Sequence, residues 1–286
     1  MSIATRIAVT LAAVAFVGCQ STTVATSDCW EAGTMLDVSD AAGAGAGYAD
    51  PDLWAGCTDD DLVIEGNGIP TYQFVQMTPN ALTEQDYSFT IPRAPALAAA
   101  PTDIPLLGLV GVAVNGLVFF GPNEAGVPNN TAWGDPIHNG ITDGCFGHTA
   151  GEYHQHALNP KCLTQDAVSE SQPWTLSDPD PTTPSPIIGW AMDGFPVYGP
   201  HGCVDAACSE VAEMKSGYDP IGDPTTDAWD AYAWSDKGDP TYLDVCNGRV
   251  QPDGTYGYHA TAGFPYILGC YQGTPAEQPG PQGMFP

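Results

Sequence analysis

The chain has 286 residues, with 34 acidic side chains against 6 basic ones and a formal net charge of -28. So negative a surface repels phosphate backbones, which argues against nucleic acid as a partner, and it favours solubility near salt or a charged envelope. No twelve-residue calcium loop of the DxDxDG type accompanies the acidic residues.

At the start, Arg6 precedes an apolar run from Ile7 to Val17, followed by Gly18 and Cys19. A stretch this short ahead of a small residue is a processing signal rather than a membrane span. Phe16-Val17-Gly18-Cys19 resembles a bacterial lipobox, with Phe16 where leucine is usual. On that reading residues 1–18 are a lipoprotein-type signal peptide and Cys19 carries the lipid. The other reading is an ordinary secretory peptide; both take the chain out of the cytoplasm, and the lipid-anchored reading places it in the cell envelope or at the outer membrane. Cys29, Cys57, Cys145, Cys162, Cys203, Cys208, Cys246 and Cys270 remain, an even set that in an oxidising compartment predicts a disulfide framework.

Residues 19–50, rich in Ser, Thr, Ala and Gly, read as a tether, and 51–286 as one domain. Leu62-Val63-Ile64, Tyr72-Gln73-Phe74-Val75 and Tyr87-Ser88-Phe89-Thr90-Ile91 are strand signals, punctuated by Gly66, Gly68 and Pro70. Helical periodicity is confined to Ser209–Lys215 and Asp227–Trp234. The 27 prolines and 33 glycines discourage long helices. Pro173–Pro186 reads as an extended surface connection. The predicted fold is mainly β: a disulfide-stapled sandwich or barrel-like domain with few short helices.

Gly111-Val112-Ala113-Val114-Asn115-Gly116 through Gly121-Pro122 aligns with Gly189-Trp190-Ala191-Met192-Asp193-Gly194 through Gly199-Pro200. Asn-Gly and Asp-Gly between apolar runs predict hairpins with type I′ turns. Each is followed by a YxxHA segment, Tyr153–Ala157 and Tyr256–Ala260, bracketed by Cys145 and Cys162 or by Cys246 and Cys270. Pairing neighbouring cysteines would close a loop around each segment. This is either an internal duplication or a coincidence of two glycine-rich hairpins. A duplication about a pseudo-twofold axis predicts one site shared by His148, His154, His156 and His259.

On a strand, His154 and His156 point to one face about 6.5 to 7 Å apart, close enough for both rings to reach one ion. Imidazole donors, with the cysteines used in disulfides, suit copper first and zinc second. Asp143, Glu152, Tyr153, Tyr256 and Tyr258 are expected behind the ligands, orienting them or packing against them. His138 and His201, each isolated, read as satisfied polar residues.

The segments Asp143-Gly144-Cys145-Phe146-Gly147-His148, Tyr153-His154-Gln155-His156, Ile187 to Pro200, Leu243 to Arg249 and Gly254 to Thr261 resemble, in this order, the YHYH-domain proteins over roughly residues 86–273. The resemblance implies an exported or lipid-anchored protein. Gln155 stands where the family name has tyrosine, and Gly257 where it has histidine. Tyr153, His156, Tyr256 and His259 carry over most directly. Two other functions compete with metal binding: an adhesion or glycan-binding module using Trp133, Trp174, Trp190, Trp229 and Trp234, and a metal-dependent enzyme of unstated reaction.

Overall fold

A computed structural model describes residues 29–163 and 182–277. Cys19, the signal segment, Trp174 and most of the proline-rich connection lie outside the described residues. The chain is mainly β. Its strands are β1 (Leu53–Cys57), β2 (Asp61–Gly66), β3 (Tyr87–Pro92), β4 (Thr102–Asp103), β5 (Gly111–Ala113), β6 (Val118–Phe119), β7 (Gly147–Thr149) and β8 (Tyr153–Gln155). They continue with β9 (Ile187–Ala191), β10 (Pro196–Tyr198), β11 (His201–Cys203), β12 (Val211–Glu213), β13 (Tyr218–Pro220), β14 (Tyr232–Trp234), β15 (Gly248–Val250), β16 (Tyr256–His259) and β17 (Cys270–Tyr271). Short 3-10 turns at Ala32–Thr34 and Pro160–Leu163 are the helical elements among the described residues.

The central sheet has the order β15-β16-β10-β9-β5-β6-β8-β7 and is open at both ends, so it is not a closed barrel. The two halves of this order are equivalent. In the first, hairpin β5–β6 is extended by β8, parallel to β6, and then by antiparallel β7. In the second, hairpin β9–β10 is extended by β16, parallel to β10, and then by antiparallel β15. Between the halves, β5 pairs antiparallel with β9 as Gly111↔Ala191, Val112↔Trp190 and Ala113↔Gly189. Val112 pairs with its own counterpart Trp190, and the flanking pairs Gly111↔Ala191 and Ala113↔Gly189 exchange under the same alignment, so a pseudo-twofold axis passes at Val112 and Trp190. Gly111 is required there: a Cβ would fall 2.5 Å from the Trp190 carbonyl oxygen and 2.2 Å from the Phe119 ring.

The three-stranded sheet β1-β2-β3 contributes Leu62, Ile64, Phe89 and Ile91 to the same buried cluster as Val112, Val118, Trp190 and Val197 from the central sheet. The disulfides join sequence neighbours, Cys29–Cys57, Cys145–Cys162, Cys203–Cys208 and Cys246–Cys270. The second and fourth close the two YxxHA segments into loops.

Several expectations are corrected. The hairpin turns are not type I′: positive φ occurs at Gly116 (83°) and Gly194 (90°), but not at Asn115 or Asp193. Gly116 N–H donates to Ala113 O and Ala113 N–H to Leu117 O, a three-residue loop ending in a left-handed glycine. Asn115 and Asp193 instead accept through Oδ1 from the backbone N–H two residues on. Tyr72–Val75 forms no strand; Tyr72 and Phe74 are buried beside Tyr153 in a second cluster. Val211–Glu213 and Tyr232–Trp234 are strands rather than helical turns, held by pairing with β11 and β13. Residues 29–50 are not a free tether: Cys29 is bridged to Cys57, Leu36 N–H donates to Val114 O, and Ala44 is buried.

Candidate metal centre

Three histidines meet on one face of the first half. His148 on β7 lies directly opposite His154 on β8, where cross-strand side chains approach most closely, and His156 follows two residues on, on the same side. Ring centroids are 4.6 Å apart for His148 and His154, 4.9 Å for His154 and His156, and 5.1 Å for His148 and His156. All three side chains are buried. Phe120, extending β6 alongside β8, stacks on His154 with centroids 4.0 Å apart and forms an apolar wall.

The fourth member is Glu124, which the sequence reading missed. It enters from the loop after β6, and its Oε2 lies 3.5, 3.5 and 3.6 Å from Nε2 of His148, His154 and His156. A tetrahedral ion with bonds of about 2.0 to 2.1 Å has ligand-to-ligand edges of about 3.3 to 3.4 Å. The His148 to His156 Nε2 distance, 2.9 Å, is the one edge an ion would spread. The four donor atoms all lie within 4.8 Å of one another. The one sequence feature that marks Glu124 is its place as the first acidic residue after Gly121-Pro122, which closes hairpin β5–β6, and nothing local ties that loop to the histidines.

The ring tautomers are set from behind. His156 Nδ1 donates to Gly121 O at 2.6 Å and His154 Nδ1 to Glu152 O at 3.3 Å. A carbonyl can only accept, so these Nδ1 atoms carry the protons and the Nε2 lone pairs face the centre. Burial, helped by the neighbouring rings and opposed by Glu124, pulls His154 down to about 3, and burial also lowers His148. Burial pushes Glu124 upward, and contact with the ring nitrogens opposes that and lowers the carboxyl, His148 being the ring whose Nε2 these tautomers leave able to donate. Lone pairs and an ionised carboxylate thus converge on one buried point, an arrangement that a cation relieves.

The expected supporting residues divide. Asp143 braces the hairpin rather than a ring: Oδ1 accepts from the N–H groups of Cys145 and Gly147, and Oδ2 from Tyr153 Oη at 2.7 Å. Burial raises Asp143 to about 6 against those bonds. Tyr153 and Gln155 lie on the opposite face, Tyr153 against Tyr72 and Gln155 donating to Cys145 O. Glu152 acts through its carbonyl, not its carboxylate. Tyr256 and Tyr258 are in the other half, donating to Asp244 and Asp193.

His259 is not in this group, which corrects the shared-site expectation. It lies on β16, separated from β8 by five strand spacings, roughly 24 Å along the sheet. Its Nδ1 donates to Gly199 O at 2.8 Å and its Nε2 is 3.0 Å from Gln251 Nε2. Burial is the main cause of its lowered value, about 4. The pseudo-twofold axis runs through β5 and β9, so the matched histidine segments lie outward on opposite sides of it.

Residues 88–273 match the family model described as YHYH protein. The chain belongs to the YHYH protein family. Neither a curated protein nor a solved structure matches the chain. In this YHYH protein the two departures from the family name have different settings. Gln155 turns away from the histidines, whereas Gly257 sits where a Cβ would fall 2.6 Å from the Tyr198 ring.

Proposed function

We propose that this YHYH protein is an exported, lipid-anchored protein that holds one divalent transition-metal ion, copper first and zinc second, on Glu124, His148, His154 and His156. The observation that carries the reading is the fixed tautomer of His154 and His156, which aims Nε2 lone pairs at the same point as the Glu124 carboxylate. Three nitrogens and one oxygen suit Cu(II) or Zn(II), and the cysteines near the site are spent in a disulfide. The stability order of first-row divalent ions ranks copper above zinc for such donors. Export is supported by the N-terminal sequence and by four disulfides, which persist in oxidising compartments, and the lipid on Cys19 by the Phe16-Val17-Gly18-Cys19 run alone.

The test is metal analysis of the full chain produced in an oxidising compartment and equilibrated with Cu(II) or Zn(II), beside His154→Ala. About one equivalent in the wild type and none in the variant is the expected result. A wild type that retains neither ion overturns the reading. The glycan-binding alternative has less support, because Trp190 is buried and Trp229 packs against Phe264 while donating to Asn123.

A further inference from the structure

The second half keeps the frame of the metal centre but not its ligands. Arg249 stands opposite Gly257 on β15 and β16 as His148 stands opposite His154, and His259 takes the place of His156. Gly202, three residues after the hairpin-closing Gly199, takes the place of Glu124. Beside Gly202 lies a half-open cavity of about 260 Å³, just below the usual range for small-molecule sites. Its walls include Tyr198, Gly202, Gln251, Asp253 and His259, with the Cys203–Cys208 loop at the rim.

Among the lining side chains, His259, Gln251 and Asp253 present acceptors. His259 Nδ1 donates to Gly199 O, so its Nε2 accepts, and it does so from the Gln251 side-chain nitrogen. That orientation leaves Gln251 Oε1 as an acceptor. Asp253 engages Thr255 through Oδ1, leaving Oδ2. Tyr198 adds an aromatic face, tilted 32° from His259. Asp205 adds a second negative charge at the mouth, its oxygens already accepting from the N–H groups of Ala207 and Ser209 and from the Ser209 hydroxyl. The nearby cation, Arg249, is turned to Cys203 O and Met214 and is not part of the wall.

We propose that this cavity binds a small organic cation rich in N–H donors, an amine or amidine, in the place where the first half holds its metal. Carboxylates at the mouth and a tyrosine ring inside match such a cation, and a chain of net charge -28 concentrates cations near its surface. The proposal does not rest on the metal reading, because none of these residues belongs to the first-half site.

The experiment is calorimetric titration of the full chain with benzamidinium, benzamide and benzoate, on the wild type, Gly202→Leu and Asp253→Asn. A leucine at 202 adds bulk to the wall beside His259; its Cβ meets His259 Cε1 at 3.2 Å and Met214 Cγ at 3.4 Å, contacts relieved by shifts of a few tenths of an ångström. Saturable binding of benzamidinium, weaker for benzamide and absent for benzoate, is expected. Gly202→Leu should abolish it, and Asp253→Asn should weaken it several-fold. No saturation by benzamidinium, tighter binding of benzoate, or binding unchanged in both variants overturns the proposal. So does a second equivalent of Cu(II) or Zn(II) that disappears in His259→Ala, because the cavity would then be a metal site.

Discussion

His156 and His259 occupy equivalent places: each donates its Nδ1 proton to the carbonyl of the glycine that closes its own hairpin, Gly121 at 2.6 Å and Gly199 at 2.8 Å. Their Nε2 atoms meet different surroundings. His156 faces two other imidazoles and Glu124, whereas His259 faces Gln251. One backbone device therefore fixes the Nδ1 proton in both halves and turns Nε2 the other way, toward different neighbours in each.

That difference separates the two histidines experimentally. His156→Ala should eliminate bound metal, and His259→Ala should leave one equivalent in place. Both variants leave a buried glycine carbonyl without its donor, so each should lose about 1 to 3 kcal/mol of stability in the metal-free state. Metal content and urea unfolding of the chelator-treated proteins check the two halves of the statement. Loss of metal in His259→Ala would contradict the separation of the sites.

Glu124 contributes charge as well as a donor atom. Glu124→Gln keeps the shape and an oxygen but removes the negative charge facing three buried imidazoles. Metal affinity should fall by about one to two orders of magnitude, and the unfolding midpoint of the metal-free protein should fall too, because a carboxyl held below its usual range in the folded state stabilises that state at neutral pH. Competition against a chelator of known affinity measures the first, and thermal unfolding with chelator the second.

The two loop-closing disulfides give a matched pair. Cys145–Cys162 spans 17 residues of sequence around the ligand-bearing hairpin, and Cys246–Cys270 spans 24 around its counterpart. In the chain-entropy model each stabilises by about 3 kcal/mol, the longer loop slightly more. Replacing either pair by serines should therefore lower stability by similar amounts. Only the Cys145 and Cys162 replacement should also weaken metal binding, because Cys145 lies in the turn that leads into β7 and its carbonyl accepts from Gln155 of β8. Equal metal affinity in both serine variants would show that the turn holds its geometry without the bridge.

The ligands on β7 and β8 were legible because they depend on local rules: alternation along a strand places His154 with His156, and a short hairpin brings His148 opposite. Glu124 was not legible, because its approach depends on β6 running parallel beside β8 across an intervening segment that includes β7. The duplication was visible in the aligned glycines, and the paired β5 and β9 register supports it. The position of the axis was not visible. A repeat specifies two equivalent units, and only the choice of β5 and β9 as the contact determines whether their histidines converge or stand apart. Tyr72–Val75 misled for a related reason: its alternating pattern serves burial of Tyr72 and Phe74 against Tyr153, without a neighbouring strand to pair with.

His138 supplies a pH dependence unconnected with the metal. Its Nδ1 lies 2.8 Å from Asp135 Oδ2, an oxygen that Tyr266 also approaches through its hydroxyl. The hydrogen bond to Asp135 raises His138 above its ordinary 6.5; burial opposes this, and the charges of Asp135 and Asp223 add to it. A histidine whose folded value is raised binds its proton more tightly in the folded state. Its stabilisation is fully present below 6.5 and is lost as pH rises through the higher folded value. His154 and His259 are displaced downward, to about 3 and about 4, so they finish titrating before this window opens. Urea unfolding of the metal-free protein should show stability declining from pH 6.5 to pH 9, by a modest amount because the His138 ring is partly exposed and its pairing is screened by solvent. His138→Gln should remove most of that decline while leaving stability at pH 9 nearly unchanged. An identical pH profile in the variant would assign the dependence to other groups.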